Sequence, residues 1–153
     1  MTLRLIPESS FRTVEWWLRN RRAARREAEK LLAEAMSDAV SLTGPLARAG
    51  MTGKGPPGDP TGRGAARVLQ AREAIAEAEA WEKAMERAEK DFPPGSEEHQ
   101  IACLHYEAGW TLKEIGASMH YEKQTILRKR DAFVYRVAWY AAEAGLTRRD
   151  SSP

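Results

Sequence analysis

Apolar residues recur at helical spacing through most of this chain. Phe11, Val14 and Leu18, followed by Ala28, Leu31, Leu32, Ala35, Met36 and Val40, predict one long helix over about residues 10–40, with Ser9 or Ser10 as its cap. At ~1.5 Å per residue such a helix would reach roughly 45 Å. Residues 41–64 turn to Gly, Pro and Thr and read as a loop. Asp59 then offers a cap and Pro60 a first helical position, and a second long helix over about residues 61–91 is expected to bury Ala65, Val68, Leu69, Ile75, Ala78, Trp81, Met85 and Ala88. That stripe is rich in alanine, which lets another helix come close, so an antiparallel pair with the first helix is expected. Phe92-Pro93-Pro94-Gly95-Ser96 ends the pair and marks a boundary.

Beyond Ser96 the elements shorten. Ile101, Leu104 and Ala108 give a short helix one apolar face, and Gly109 can stop it in the left-handed conformation. Thr111 and Glu114 are spaced as a capping box, in which hydroxyl and carboxylate each satisfy an amide at a helix start. Leu112 and Ile115 face inward, Gly116 and Ala117 admit a close neighbour, and residues 118–121 form the turn. A third helix over about residues 122–144 buries Ile126, part of Arg130, Phe133, Val137 and Tyr140. The expected fold is therefore all-α: residues 1–95 form two long helices joined by the 41–64 loop, residues 96–146 form a helix-turn-helix, and residues 147–153 are a tail.

Charge sharpens this picture. The 153 residues carry a formal net charge of +2, but it is segregated. Residues 1–30 hold eight basic and four acidic side chains, residues 31–64 three of each, residues 65–100 five and nine, and residues 101–153 eight and six. Basic ends around an acidic middle fit a polyanionic partner better than the total suggests. Arg19, Arg21, Arg22, Arg25 and Arg26 crowd the first helix without an acid among them. They form either a solubilising surface with snorkelling stems or a rail for phosphates. The adjacent Trp16 and Trp17 cannot both face one core, so one of them is expected at an interface.

In a helix-turn-helix the second helix enters the major groove with its N-terminal residues at base edges. With Ile126 pointing to the core, Lys123, Gln124, Leu127 and Arg128 point away. Lysine and arginine donate to guanine, glutamine pairs bidentately with adenine, and leucine touches a thymine methyl. Thr111 and Lys113 at the start of the preceding helix, with Thr125 and Lys129 on the recognition helix and Arg21 and Arg22 upstream, are the expected phosphate contacts. The competing reading is a hairpin that only packs, with Lys123 and Arg128 as ordinary surface charge.

The run from Leu104 to Arg128, LHYEAGWTLKEIGASMHYEKQTILR, resembles the region-four helix-turn-helix of sigma-70-type factors. The layout of the whole chain is similar to phage late-gene regulators of the ArpU and RinA type, strongly over 101–140 and loosely before, with Asp59-Pro60-Thr61 standing for their Asp-x-Thr-like element. The resemblance implies sequence-specific binding of double-stranded DNA near promoters, activation of packaging, structural or lysis genes, and base reading by Lys123, Gln124, Leu127 and Arg128. Glu122 departs from the serine-like cap of that family; it suits the helix dipole but repels a nearby phosphate.

Other classes fit less well. The glycine-rich 53–62 segment lacks the order of a phosphate-binding loop, since Lys54 is followed by Gly55. Neither a nucleophile elbow nor a paired-histidine metal motif is present. His99 and Cys103 could share a metal, yet further ligands would have to come from His120 or distant acids, so Cys103 reads as a small core residue and no metal, cofactor or catalysis is expected. One cysteine excludes an internal disulfide, and the first residues carry no secretory signal, so a cytoplasmic protein of a bacterial host is expected, without membrane contact. RNA polymerase and a second copy, the latter reached through the long helices, are the expected protein partners; a rival reading is an adaptor that contacts RNA polymerase through the acidic second helix without reading bases. A DNA-packaging component, such as a small terminase subunit, is the main alternative.

Overall fold

A computed structural model of the chain describes residues 6–43 and 60–147. Among them the protein is all-α, with helices α1 (Glu8–Arg19), α2 (Arg21–Thr43), α3 (Pro60–Asp91), α4 (Glu97–Ala102), α5 (Leu112–Met119) and α6 (Lys123–Glu143), and a π-helical stretch Cys103–Glu107 continuing α4. Asp59 and most of the expected loop lie outside the described residues. No helix among the described residues is long and apolar enough to cross a membrane.

The single first helix expected over residues 10–40 is in fact two. Asn20 interrupts it with φ −106° and ψ 15°, its side-chain amide donating to the Trp16 carbonyl at 2.8 Å and its backbone N–H to the same oxygen. An asparagine amide that competes for the carbonyls of the preceding turn offers the backbone a way out of the helix. The start also moves: Pro7, not Ser9 or Ser10, occupies the cap position, and Ser10 is buried.

Contacts divide the chain into two compact units, and the boundary does not fall at residue 95. One unit comprises residues 1–21 with 80–153, the other residues 22–79. The first unit is built on a core of large side chains. Val14 and Leu18 of α1, Trp81, Met85 and Ala88 of α3, Tyr106, and Phe133, Val134, Val137 and Ala141 of α6 are all buried in one cluster. Phe92, within the punctuation that suggested a boundary, packs against that cluster. A local turn signal says where a helix stops; whether the next segment packs back on it is decided by the apolar faces. Trp17 lies stacked 5.4 Å from Trp81, while Trp16 is 51% exposed, so the adjacent tryptophans do divide between core and surface.

Among its described residues the second unit buries only small ones: Ala28 and Ala35 of α2, Ala71 and Ala78 of α3. Ion pairs from Arg25 to Glu79 (3.3 Å) and from Arg67 to Asp38 (3.5 Å) set an antiparallel register in which these alanines fall level, seven residues apart on each helix. The seam is thus rotated from the expected stripe. Ala65 is exposed, Leu69 is 58% exposed on the outer face, and Val68 and Ile75 are half-buried.

Candidate nucleic-acid interface

The α5–turn–α6 segment is positioned by short-range chemistry. The π-helical stretch ends at Gly109, whose φ of 76° is the left-handed stop, and the Trp110 N–H closes back onto the Leu104 carbonyl at 2.9 Å. His105 Nδ1 holds the Trp110 carbonyl at 2.7 Å. Thr111 caps α5 by accepting the Glu114 N–H at 3.1 Å, the threonine half of the capping box. Beneath, Ile101, Ile115 and Ile126, each fully buried, form a small core of their own with Leu104, Leu112 and Met119 packed around it.

Two backbone features make the turn. His120 ends α5 at φ 60° and ψ 40°, the left-handed conformation that a side chain rarely adopts. Gly116 lies so close to the turn that a Cβ there would stand 2.8 Å from the Tyr121 carbonyl oxygen, and the Gly116 carbonyl accepts the Tyr121 N–H at 2.9 Å. The sequence marked Gly116 as small; the contact shows the turn's own backbone fills that space.

α6 begins after Glu122, which occupies the cap without a side-chain bond. Of the expected base-reading residues, Lys123, Gln124 and Arg128 are exposed and Leu127 is half-buried. Lys123 and Leu127, and beside them Gln124 and Arg128, are four residues apart and so form two adjoining rows on the helix surface. Thr111 and Lys113 are exposed and Thr125 is half-buried.

Two of the residues expected from sequence to contact phosphate have carboxylate partners inside the molecule. Lys129 ion-pairs with Glu97 at 3.4 Å and Glu98 at 3.7 Å, with its ammonium 5.7 Å from the centre of the Tyr121 ring, and the Tyr121 hydroxyl donates to Glu97 at 3.0 Å. That Tyr121 bond, then Lys129, holds the Glu97 carboxyl below its ordinary range; burial works to lower the Lys129 ammonium, and its bond to Glu97 and the Glu97 and Glu98 charges outweigh it. Lys129 is therefore a clamp between α6 and α4. Arg21 is also engaged inside the molecule: its guanidinium grips Glu82 with bonds of 2.6, 2.8 and 3.1 Å and lies 2.6 Å from Glu89. The Glu82 bond in particular raises Arg21 further above its already high value. Both cations have partners far away in the chain, which no local spacing could indicate. Arg22 is exposed.

Arg130 is half-buried, paired with Asp131 at 2.8 Å and lying over the Phe11 ring, and Tyr106 donates to Glu15 at 2.8 Å beside it. These groups fasten α1 to α6 and face away from the exposed rows. Cys103 is half-buried with its sulfur 3.7 Å from His99 Nδ1, and among the described residues no group of three or more His, Cys, Asp or Glu is placed to hold a metal ion. Together the segment offers three exposed polar residues on the first turns of a long helix, held by a second short helix and a tight turn on an all-α scaffold. No family model, curated protein or solved structure matches the chain.

Proposed function

We propose that the protein reads double-stranded DNA through α6 and regulates transcription, as an activator of phage or prophage late genes of the ArpU and RinA type. The observation that carries this reading is the division of one helix end: Ile126 is fully buried while Lys123, Gln124 and Arg128 around it are exposed. A helix so placed can enter a major groove with a guanine-reading cation and an adenine-reading amide foremost. The α5 N-terminus, with Thr111 and Lys113, meets the backbone beside it. With Lys129 and Arg21 held by carboxylates, about three or four cations per chain remain for phosphates, so the electrostatic component is modest and most discrimination rests on base edges.

Footprinting and gel shifts against DNA upstream of late genes test the reading. Alanine at Gln124 or Arg128 is expected to cost about 1–3 kcal/mol of site discrimination, whereas alanine at Lys113 or Arg22 weakens all sequences alike and lowers the salt slope by about one. Equal affinity of the unaltered protein for random and promoter DNA at moderate salt defeats the proposal. A second reading, a packaging component, is favoured by the exposure of Leu31, Met36 and Leu69 on the second unit, which suits association of copies. Light scattering separates the two: a monomer or dimer supports the regulator, a ring of many copies supports packaging.

A further inference from the structure

In the unit of residues 22–79 the two helices leave one apolar face uncovered. Ala28 and Ala35 on α2, and Ala71 and Ala78 on α3, are buried in the seam between them. Leu32 comes four residues after Ala28 and Ile75 four after Ala71; Met36 follows Leu32 by four, and Val68 precedes Ile75 by seven. A step of four overshoots one helical turn by about 40°, and a step back of seven turns about 20° in the same sense. On two antiparallel helices that face each other, equal turns in one sense lead to the same side of the pair, so these four side chains border one face. The ion pair from Arg25 to Glu79 at 3.3 Å fixes that side, because Arg25 lies seven before Leu32 and Glu79 four after Ile75. Asp38 and Arg67, three after Ala35 and four before Ala71, turn the other way and pair at 3.5 Å across the opposite face. On the first face Leu32, Val68 and Ile75 are half-buried and Met36 is 46% exposed.

We infer that a second copy of the chain docks on this face, so that two hairpins close into a four-helix bundle. The series Arg25, Ala28, Leu32, Ala35 and Val68, Ala71, Ile75, Ala78 both follow the alternating spacing of three and four on which such bundles are built. In one hairpin only the alanine half of that pattern is buried; the larger half is left for a partner. Charge selects which partner. Residues 22–43 hold four basic and four acidic side chains and residues 60–79 three of each, so each helix is neutral by itself. A nucleic acid or a strongly charged protein gains little from such a surface, whereas a copy meets it without net repulsion and brings the same patch, as a two-fold pairing requires. The dimensions agree. Helices about 30 Å long and about 8–10 Å apart offer a face of about 30 by 20 Å, comparable with the ~800 Å² that each partner contributes to a stable association. This pairing does not depend on what α6 reads.

The test follows the full chain, free of DNA, by sedimentation equilibrium from micromolar to near-millimolar concentration. The expected result is a reversible dimer. Met36→Glu carries a charge into the interface and should weaken the dimer by at least about tenfold. Leu69→Glu, on the outer surface of α3, should leave it unchanged. Met36 is 46% and Leu69 58% exposed in the single hairpin, so neither substitution disturbs the fold of its own chain, and far-ultraviolet circular dichroism checks that helix content is kept. A chain that stays monomeric at the highest concentration assigns the face to another occupant and overturns the inference. So do a ring of many copies, and a dimer that Met36→Glu leaves intact or Leu69→Glu disrupts.

Discussion

The two compact units of this protein are stabilised on different scales. Around α6, Trp81, Met85, Phe133 and the valines interlock as large side chains with almost no exposed area, and aromatic rings continue the packing to Trp17 and Phe92. In the unit of residues 22–79 the buried residues among those described are alanines, and the larger apolar side chains Leu31, Met36 and Leu69 stand in solvent. Alanine brings two helix backbones close but removes little apolar surface from water, while a buried aromatic side chain contributes several times as much. High helix propensity and a few exposed ion pairs can maintain the thinner unit's helices, yet each such pair stabilises by well under 1 kcal/mol. Order in a helix and strength in a core are separate properties, and this chain displays one without the other.

The sharpest way to break the comparison is to hollow the dense core. Phe133→Ala is expected to lower stability by about 3–5 kcal/mol, read as a fall in the urea midpoint, while Ala71→Gly in the alanine seam costs only about 1 kcal/mol and leaves the near-ultraviolet signal of the tryptophans intact. Equal losses would mean that both units draw on the same core. Next in size is Gly116→Ala, where the new methyl meets backbone oxygen at 2.8 Å; about 1–3 kcal/mol should be lost, with the α5–α6 angle disturbed and DNA binding weakened beyond what stability explains. Unchanged melting would show that the turn can yield.

Tyr106 separates the units by pH. Burial first, and then the neighbouring Glu15, push its hydroxyl above the ordinary value of 10, so the folded protein keeps the phenol neutral where the unfolded chain ionises it. That stabilisation is complete below about pH 10 and is lost as pH rises from there toward the folded-state value. Tyr106 should be the slowest tyrosine to show phenolate absorption in the near ultraviolet, and Tyr106→Phe should cost about 1 kcal/mol at neutral pH and flatten the alkaline decline. The smallest expected effect is a gain: His120→Gly relieves the left-handed strain at the end of α5 by up to about 1 kcal/mol, raising the melting temperature slightly.

Where signals are local, the sequence was legible. Gly109, the Thr111 cap and the burial of Ile115 and Ile126 all stand as the spacing predicts, because each feature is completed within a few residues. The helix break at Asn20 was marked by its residue type, but the apolar rhythm running on either side concealed it. In α3 so many positions are alanine that no single stripe was selected, and the seam at Ala71 and Ala78 was decided by the opposite helix. The placement of Arg21 and Lys129 depended on carboxylates at Glu82, Glu89, Glu97 and Glu98, brought near only by folding. For the same reason the association of residues 1–21 with the C-terminal half could not be read from punctuation at Pro93 and Pro94.

The five tryptophans fall into two optical classes. Trp81, shielded and lying parallel to Trp17, should give a coupled signal in circular dichroism and resist iodide, whereas Trp16, Trp110 and Trp139 are open to any quencher. Because Trp110 directly precedes the cap of α5, a duplex laid against that helix would shade it and leave Trp16 and Trp139 lit, so the protein carries an intrinsic lamp beside its proposed groove-reading surface.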